Sequence, residues 1–226
     1  KVHISVLMRA IGYGSNAEIL DCLGDDDRLS ATLAKDPTRS CADGLIEIYK
    51  RQRPGEPPTE ESARALFDSL FFDKRYDLAR VGRYKYNKKL SLKNRIEGQV
   101  SDENIISPLT GEVLAEAGEV FSHKQAQEIQ NNGVNSVWVR TSDGGRTKVV
   151  GNNCANPALF LPFAPIEAGL NEDVHIPTLR ALLPEMEALE DVEAQKDFLR
   201  GHYSDLISKH IIPDDIVASI SYIIGL

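Results

Sequence analysis

The spacing of apolar residues changes twice along the chain, and this change limits the possible folds more than any other sequence feature. Up to about residue 95, and again after Pro177, apolar side chains recur every three or four positions, which is typical of amphipathic helices. Between residues 100 and 151, short segments alternate apolar and polar side chains, which is typical of strands with one buried face. The sequence therefore predicts an α+β fold in which a small β-rich module interrupts a helical subdomain.

Helix start and stop signals divide the first part of the chain into short helices. Ser15 begins a capping-box sequence, and Gly24 is expected to end the helix that follows. Asp25, Ser40 and Thr59 each precede an amphipathic segment, so we expect each of them to cap a further helix. The opening segment, VHISVLMRAIGYG, is instead expected to form a strand. Short helices with short connections predict a compact helical subdomain.

The alternating region and the residues after it predict strands and then further helices. Gly111 and Gly118 are expected at turns between short strands, and Ser122 is expected to cap one helix. The segments VNSVWVR and TKVVG predict two more strands, which a DGG turn joins. Residues 152–176 contain three prolines and no clear period, so an irregular segment is expected there. Pro213 is expected in the first turn of the last helix.

The net charge of −8 is unevenly distributed along the chain. Residues 45–95 carry a net charge of +6, whereas residues 96–226 carry −12. Within the basic part, residues 74–95 hold nine lysines or arginines, one acid and three tyrosines. Cations beside aromatic rings can hold a phosphate backbone and stack on bases, but the same pattern occurs on solvated and subunit-facing surfaces. Composition alone leaves both interpretations open.

A proline-rich loop, RPGEPP, lies within the basic part of the chain. Each of its three prolines fixes φ, and residues that precede proline favour extended conformations. A loop with few accessible conformations loses little entropy when it contacts a partner. The loop therefore predicts a presented surface, and a plain linker between two helices is the alternative.

The sequence lacks the signatures of a self-contained active site. Its five histidines show no metal-ligand spacing, and no nucleophile-elbow, zinc-protease or phosphate-loop motif is present. The aspartates from Asp25 to Asp27 could hold Mg²⁺, but acidic residues in the first turn of a helix more simply offset its dipole. Three scattered cysteines are typical of reduced thiols in the cytosol. No apolar run reaches the roughly 18 residues that span a bilayer.

The two ends predict a larger parent polypeptide. The chain starts at Lys1 rather than at a methionine, and it ends in the apolar segment IVASISYIIGL without a polar tail. Natural termini are seldom so abrupt. We therefore expect the chain to be a part of a longer protein.

Several segments resemble one known family. The run IEIYKRQRPGEPPTEESARALFDSLFFDKRYDLARVGRYKYNKKL closely resembles the second half of the protrusion domain of the bacterial DNA-directed RNA polymerase β subunit. VLMRAIGYGSNAEIL resembles the segment that leads into that half, and DDIVASISYIIGL resembles the helix before the fork region. The middle, SPLTGEVLAEAGEVFSHKQAQEI with NNGVNSVWV, looks like the sandwich-barrel hybrid (β-β′) module that several bacterial lineages insert there.

The resemblance implies an order of domains. We expect a protrusion-type helical segment at 1–99, with a gate loop at 51–59, and the inserted β-rich module at 100–151. A lineage-variable insert with an acidic helix follows at 152–210, and a helix that returns to the junction of protrusion and fork ends the chain at 211–226.

The resemblance also implies which residues face nucleic acid. Arg53 and Arg75 match residues that line a pocket for the non-template strand. The gate loop is expected to lie across the DNA channel from the β′ clamp and to dock a NusG-type elongation factor. Its contact residues are Arg51, Arg53, Pro54, Gly55, Glu56, Pro57 and Pro58. Weaker candidates for contacts with the DNA backbone or other subunits are Arg83, Lys85, Lys88 and Lys89. No catalytic and no metal-binding residue is expected.

By resemblance, the parent is a cytoplasmic bacterial enzyme that performs DNA-templated transcription. Its chemistry is expected in the β′ subunit, which holds Mg²⁺, so this chain needs no cofactor and serves as channel wall, gate and docking surface. The expected partners are the β′, α and σ subunits, DNA and the elongation factor, and no membrane. The alternatives are an adaptor built on the sandwich-barrel module and an independent nucleic-acid-binding protein. A biotinyl or lipoyl carrier is disfavoured because the turns at Gly111 and Gly118 offer no lysine.

Overall fold

The structure is a computed structural model that describes residues 1–73 and 75–225. The helices of the described residues are α1 (Ile4–Ala10), α2 (Asn16–Leu23), α3 (Asp27–Lys35), α4 (Cys41–Gln52), α5 (Glu60–Phe71), α6 (Ala79–Leu90), α7 (Leu92–Ile96), α8 (His123–Asn131), α9 (Ile176–Glu187), α10 (Val192–Gly201), α11 (Tyr203–Leu206) and α12 (Pro213–Ile224). The strands are β1 (Val100–Ser101), β2 (Ile105–Ile106), β3 (Val113–Ala115), β4 (Ser136–Arg140), β5 (Arg146–Val150), β6 (Cys154–Ala155) and β7 (Val174–His175). The predicted α+β class is confirmed.

The chain divides into two compact units. The first unit comprises residues 1–77 and 210–226, and it contains α1 to α5 together with α12. The second unit comprises residues 78–209, and it contains α6 to α11 and the strands named above. None of the helices in the described residues is long and apolar enough to cross a membrane.

Helices α1, α4 and α5 form the core of the first unit. Their buried apolar side chains share one cluster, which includes Val6, Leu45 and Phe67. Gly44 allows α1 and α4 to pack closely, because a Cβ atom at this position would lie 2.8 Å from the Cβ of Arg9. No larger residue fits there without moving the two helices apart.

The predicted helix starts of the first unit are confirmed with one correction. Three caps accept hydrogen bonds from backbone N–H groups of the first turn as expected: Ser15, Ser40 and Thr59. The prediction that Asp25 caps α3 is wrong, because Asp26 has the extended backbone directly before the first turn. The Asp26 carboxylate accepts hydrogen bonds from two backbone N–H groups of that turn.

The opening segment forms helix α1, so the predicted strand is wrong. Its β-branched residues favoured a strand. Val6 and Ala10, however, are one helical turn apart, and both are buried in the cluster that α1 shares with α4. Tertiary packing therefore outweighs the local preference of this segment.

A three-stranded antiparallel sheet in the order β1-β4-β5 is central to the second unit. Val137, Val139 and Val149 enter a core that also contains Phe121 and Ile129. The turns predicted at the glycines have the expected left-handed backbone, with φ of +76° at Gly111, +87° at Gly118 and +85° at Gly144. The predicted cap at Ser122 is confirmed as a capping box with Gln125.

Helices α6 and α7 belong to this second unit, although the sequence placed the start of the β-rich module at residue 100. Leu92 and Ile96 of α7 are buried in the same cluster as the sheet. The Arg95 side chain donates a 2.5 Å hydrogen bond to the Val150 carbonyl at the end of β5. The helical period of the sequence ends before residue 100, but a period does not show against which neighbour a helix packs.

A separate core lies in the last part of the second unit. Helices α9 and α10 bury Leu179, Met186 and Leu199 in one cluster. The irregular segment before them contains two short 3₁₀ helices, Pro157–Phe160 and Pro165–Ala168, and the short pair β6–β7. In the first unit, the predicted first-turn position of Pro213 in α12 is confirmed.

Candidate nucleic-acid interface

A glutamate holds the loop between α4 and α5 in one shape. Glu56 accepts a 2.9 Å hydrogen bond from the Tyr49 hydroxyl and forms a 3.4 Å ion pair with Arg53. Tyr49 is part of the core of the first unit, so Glu56 fastens the loop to a packed helix. The hydrogen bond from Tyr49, followed by that from Arg53, holds the pKa of Glu56 below its ordinary value.

Around this anchor, the loop presents its side chains to solvent. Gly55 has a φ of +90°, where a residue with a side chain would be strained, so the turn depends on glycine. Arg51 pairs with Glu47 one helical turn earlier at 3.0 Å. The loop residues predicted from the sequence are exposed except for half-buried Pro58, and the exposed ones are Arg51, Arg53, Pro54, Gly55, Glu56 and Pro57.

Arg75 follows α5 in the same unit and lies over an aromatic ring. Its guanidinium carbon is 4.9 Å from the centre of the Tyr76 ring, and its Nε atom is 3.1 Å from a carboxylate oxygen of Asp73. Both Arg75 and Tyr76 are exposed, and Lys74 lies outside the described residues. A guanidinium stacked on an exposed ring offers N–H donors to a phosphate and a flat surface to a base.

Helix α6 exposes three of the four weaker basic candidates and buries the fourth. Lys85, Lys88 and Lys89 are exposed, and Tyr84 lies among them with 62% of its surface accessible. Arg83 is only 2% exposed. Its Nε atom donates a 2.7 Å hydrogen bond to the carbonyl oxygen of Ser208, so it fastens α6 to a later segment of the second unit.

Arg53 and Arg75 therefore lie in the first unit, whereas the α6 lysines lie in the second. Among the described residues, no group of three histidine, cysteine, aspartate or glutamate side chains could hold a metal ion. Of the aspartates at the start of α3, Asp26 caps the helix and pairs with Arg28 at 3.0 Å, and Asp27 lies in its first turn.

Two residues that orient the candidate arginines were missed by the sequence analysis of the site. Neither Tyr49 nor Asp73 was predicted from the sequence as a site residue. Both act through contacts with the arginines or with the loop, Tyr49 by its bond to Glu56 and Asp73 by its ion pair with Arg75. Sequence spacing gives no signal for the Tyr49–Glu56 contact, because α4 ends at Gln52 and Glu56 lies in the loop beyond it.

Comparison with known proteins shows which family this sequence matches. The profile of the family RNA polymerase Rpb2, domain 2, matches residues 1–107. A protein named DNA-directed RNA polymerase subunit beta from Clostridioides difficile is 50% identical over 223 residues, which cover 98% of this chain and 18% of the relative. Proteins of the same name from Acetivibrio thermocellus and Clostridium tetani are 50% and 48% identical over 227 residues, which cover all of this chain and 18% of each relative. The chain thus spans 18% of the length of the curated relatives it matches.

Proposed function

The chain belongs to the family of bacterial RNA polymerase β subunits, and we infer that it acts in DNA-templated transcription as a segment of such a subunit. Its proposed role is to line the DNA channel and to present the 51–59 loop across it. The parent complex is then a nucleotidyltransferase located in the cytoplasm, with the β′, α and σ subunits as partners. Its chemistry takes place in β′ on Mg²⁺, and this segment supplies no catalytic group.

The proposal rests on one observation: Arg53 and Arg75 are exposed, and a neighbouring carboxylate orients each guanidinium group. Their side chains are 52% and 65% accessible, yet each guanidinium is oriented by one neighbouring carboxylate, that of Glu56 or Asp73. Ion pairs on an exposed surface contribute little stability, so a phosphate can take the place of the carboxylate at little cost. An arginine side chain then offers two parallel N–H donors to phosphate oxygens.

The contacts of the 51–59 loop are consistent with a gate loop that keeps one conformation although most of its residues are exposed. The Tyr49–Glu56 hydrogen bond and the three prolines leave the loop few alternative conformations. A NusG-type elongation factor or the β′ clamp could then bind the loop without a large entropic cost of ordering it.

The test uses polymerase whose β subunit carries Arg53→Ala or Arg75→Ala. The matched control is Arg64→Ala, which removes the same charge from an exposed position on α5 of the same unit. We expect each test variant to shorten the lifetime of promoter complexes roughly fivefold, as the loss of about 1 kcal/mol of phosphate contact predicts. Single-nucleotide addition at saturating substrate should stay unchanged. Unchanged lifetimes, or an equal loss in the control, would contradict the proposed role.

A further inference from the structure

A second cationic surface lies on the outer face of the β1-β4-β5 sheet in the second unit. Side chains alternate between the two faces of a strand. The valines Val137, Val139 and Val149 enter the core. The alternate positions place four other side chains together on the opposite face, as the register pairs show: Trp138 with Lys148, and Arg140 with Arg146.

The clustering on this face does not follow from the composition of the segment. Residues 100–151 carry seven acidic side chains and only four lysines or arginines, yet three of those four cations lie on this face. Trp138 is the only tryptophan of the chain. The basic groups and the largest aromatic ring are thus concentrated on one side of one sheet.

Arg140 and Arg146 lie beside each other and share the carboxylate of Asp102. Arg140 and Arg146 are direct cross-strand partners, and like charges in that position repel. Asp102 lies near both, with oxygen atoms 3.1 Å from Arg140 Nε and 3.7 Å from Arg146 Nη1. A second carboxylate, that of Glu103, accepts a 3.4 Å hydrogen bond from the Trp138 backbone N–H, so the three cations of the face exceed its two nearby acids. The two arginine side chains are 51% and 61% accessible.

Arg146 also covers the indole ring of Trp138. Its guanidinium carbon lies 4.4 Å from the ring centre, which is within the range of a cation–π contact. This contact makes a flat, layered surface of ring and guanidinium at the centre of the cationic face. A base can stack on such a surface whatever its sequence, because every base has a π-face.

We propose that this sheet face binds single-stranded nucleic acid. Phosphate groups of the strand are held by Arg140, Arg146 and Lys148, and one base stacks on the Trp138–Arg146 layer. A duplex is a poorer fit because its bases are already stacked, and an acidic peptide would use the cations but not the ring. The proposal uses residues other than Arg53 and Arg75 and does not rest on the function proposed above.

The test follows the fluorescence of the whole 226-residue chain during titration with a 12-nucleotide oligothymidylate at low salt. Since Trp138 is the only tryptophan, quenching reports on this face alone. We expect saturable quenching, an affinity about fivefold weaker in Arg140→Ala or Lys148→Ala, and a stronger affinity in Asp102→Asn. With three phosphates held, the logarithm of the binding constant should fall with the logarithm of salt at a slope of about −2.

Two controls separate this face from the rest of the chain. Lys124→Ala removes the fourth cation of the segment, which is exposed on α8 and absent from the sheet, and it should leave the quenching unchanged. Arg64→Ala, at an exposed position on α5 of the first unit, should do the same. The proposal is overturned if oligothymidylate does not quench Trp138, if Lys124→Ala weakens binding as much as Arg140→Ala, or if polyglutamate or duplex DNA quenches with equal affinity. The gain in Asp102→Asn cannot be produced by misfolding, so its absence also counts against the proposal.

Discussion

Replacing Arg9 with methionine removes the cation of a fully buried ion pair in the first unit. The Arg9 Nε atom lies 3.7 Å from an oxygen of Asp36, and neither side chain is accessible to solvent. The same nitrogen donates a 3.1 Å hydrogen bond to Thr38, whose hydroxyl in turn donates a 2.6 Å hydrogen bond to Asp36. Loss of one partner from a buried pair leaves an uncompensated charge, so we expect Arg9→Met to cost about 3–5 kcal/mol of stability.

The pH dependence of this loss follows from the Asp36 carboxyl. Burial alone would raise its pKa, but hydrogen bonds from the hydroxyl and the backbone N–H of Thr38 and the charge of Arg9 hold the pKa below its ordinary value. In the native chain, Asp36 therefore contributes stability at neutral pH that is lost only as the pH falls through the folded pKa. Without Arg9, one of the influences that lower this pKa is lost, so the folded pKa of Asp36 rises and the carboxylate contributes less stability at neutral pH. The difference between the two chains should therefore shrink as the pH falls from 7 toward 3.5, below the ordinary aspartate pKa of about 3.9.

The assay is urea unfolding of the 226-residue chain, followed by far-ultraviolet circular dichroism at both pH values. With a urea dependence of about 1–3 kcal/mol per molar, the expected loss moves the midpoint by more than about 1 M. Arg64→Met, at an exposed position of α5, is the matched control and should change stability by less than about 0.5 kcal/mol. Adding Asp36→Leu to Arg9→Met should restore part of the loss, because both charges are then absent. A loss below about 1 kcal/mol, or one that is equal at both pH values, would refute the reasoning.

Other substitutions test the orienting contacts. Arg83→Met should cost about 1–3 kcal/mol in thermal or urea unfolding, because a buried carbonyl loses its donor, whereas Lys85→Met on the exposed side of the same helix should cost little; equal effects would contradict the buried assignment. Tyr49→Phe should raise the pKa of Glu56 toward its ordinary value, since the bond that lowers it most is lost, and a carboxyl titration by nuclear magnetic resonance would show no change if that bond does not form. Trimming residues 53–56 in the β subunit of a polymerase should weaken the response to a NusG-type factor and leave single-nucleotide addition nearly unchanged; a large drop in nucleotide addition at saturating substrate would argue against a gate role.

Local signals accounted for most helix starts but not for every element. Ser15 and Thr59 were predicted as caps because a cap and the N–H groups that it accepts from lie within three residues. The same logic missed the cap of α3 by one residue, since three consecutive aspartates offer three similar candidates. Helix α1 was missed because its partner, α4, begins about thirty residues later, and no local pattern shows that contact.

At the candidate interface, too, local motifs identified some residues, whereas contacts between distant residues decided the others. The resemblance singled out Arg53 and Arg75 from the motifs RPGEPP and RYDL, and the structure places both on the surface of the first unit. Arg83 has the same residue type and lies in the same basic run as Lys85, but it is buried. Its acceptor, the Ser208 carbonyl, lies 125 positions away in the sequence, so nothing near Arg83 distinguishes it from the exposed cations.

The sequence by itself determined the fold class, the positions of most caps and turns, and the family. Each of these depends on a periodicity, a cap or a motif that is read within one stretch of the chain. Only the tertiary structure decided which cations face solvent and that Tyr49 holds the loop by a hydrogen bond to Glu56. It also decided that Trp138 and two arginines lie together on one face of the sheet. The physical reason is that burial and hydrogen-bond partners are set by residues brought together from distant parts of the chain, which no local window contains.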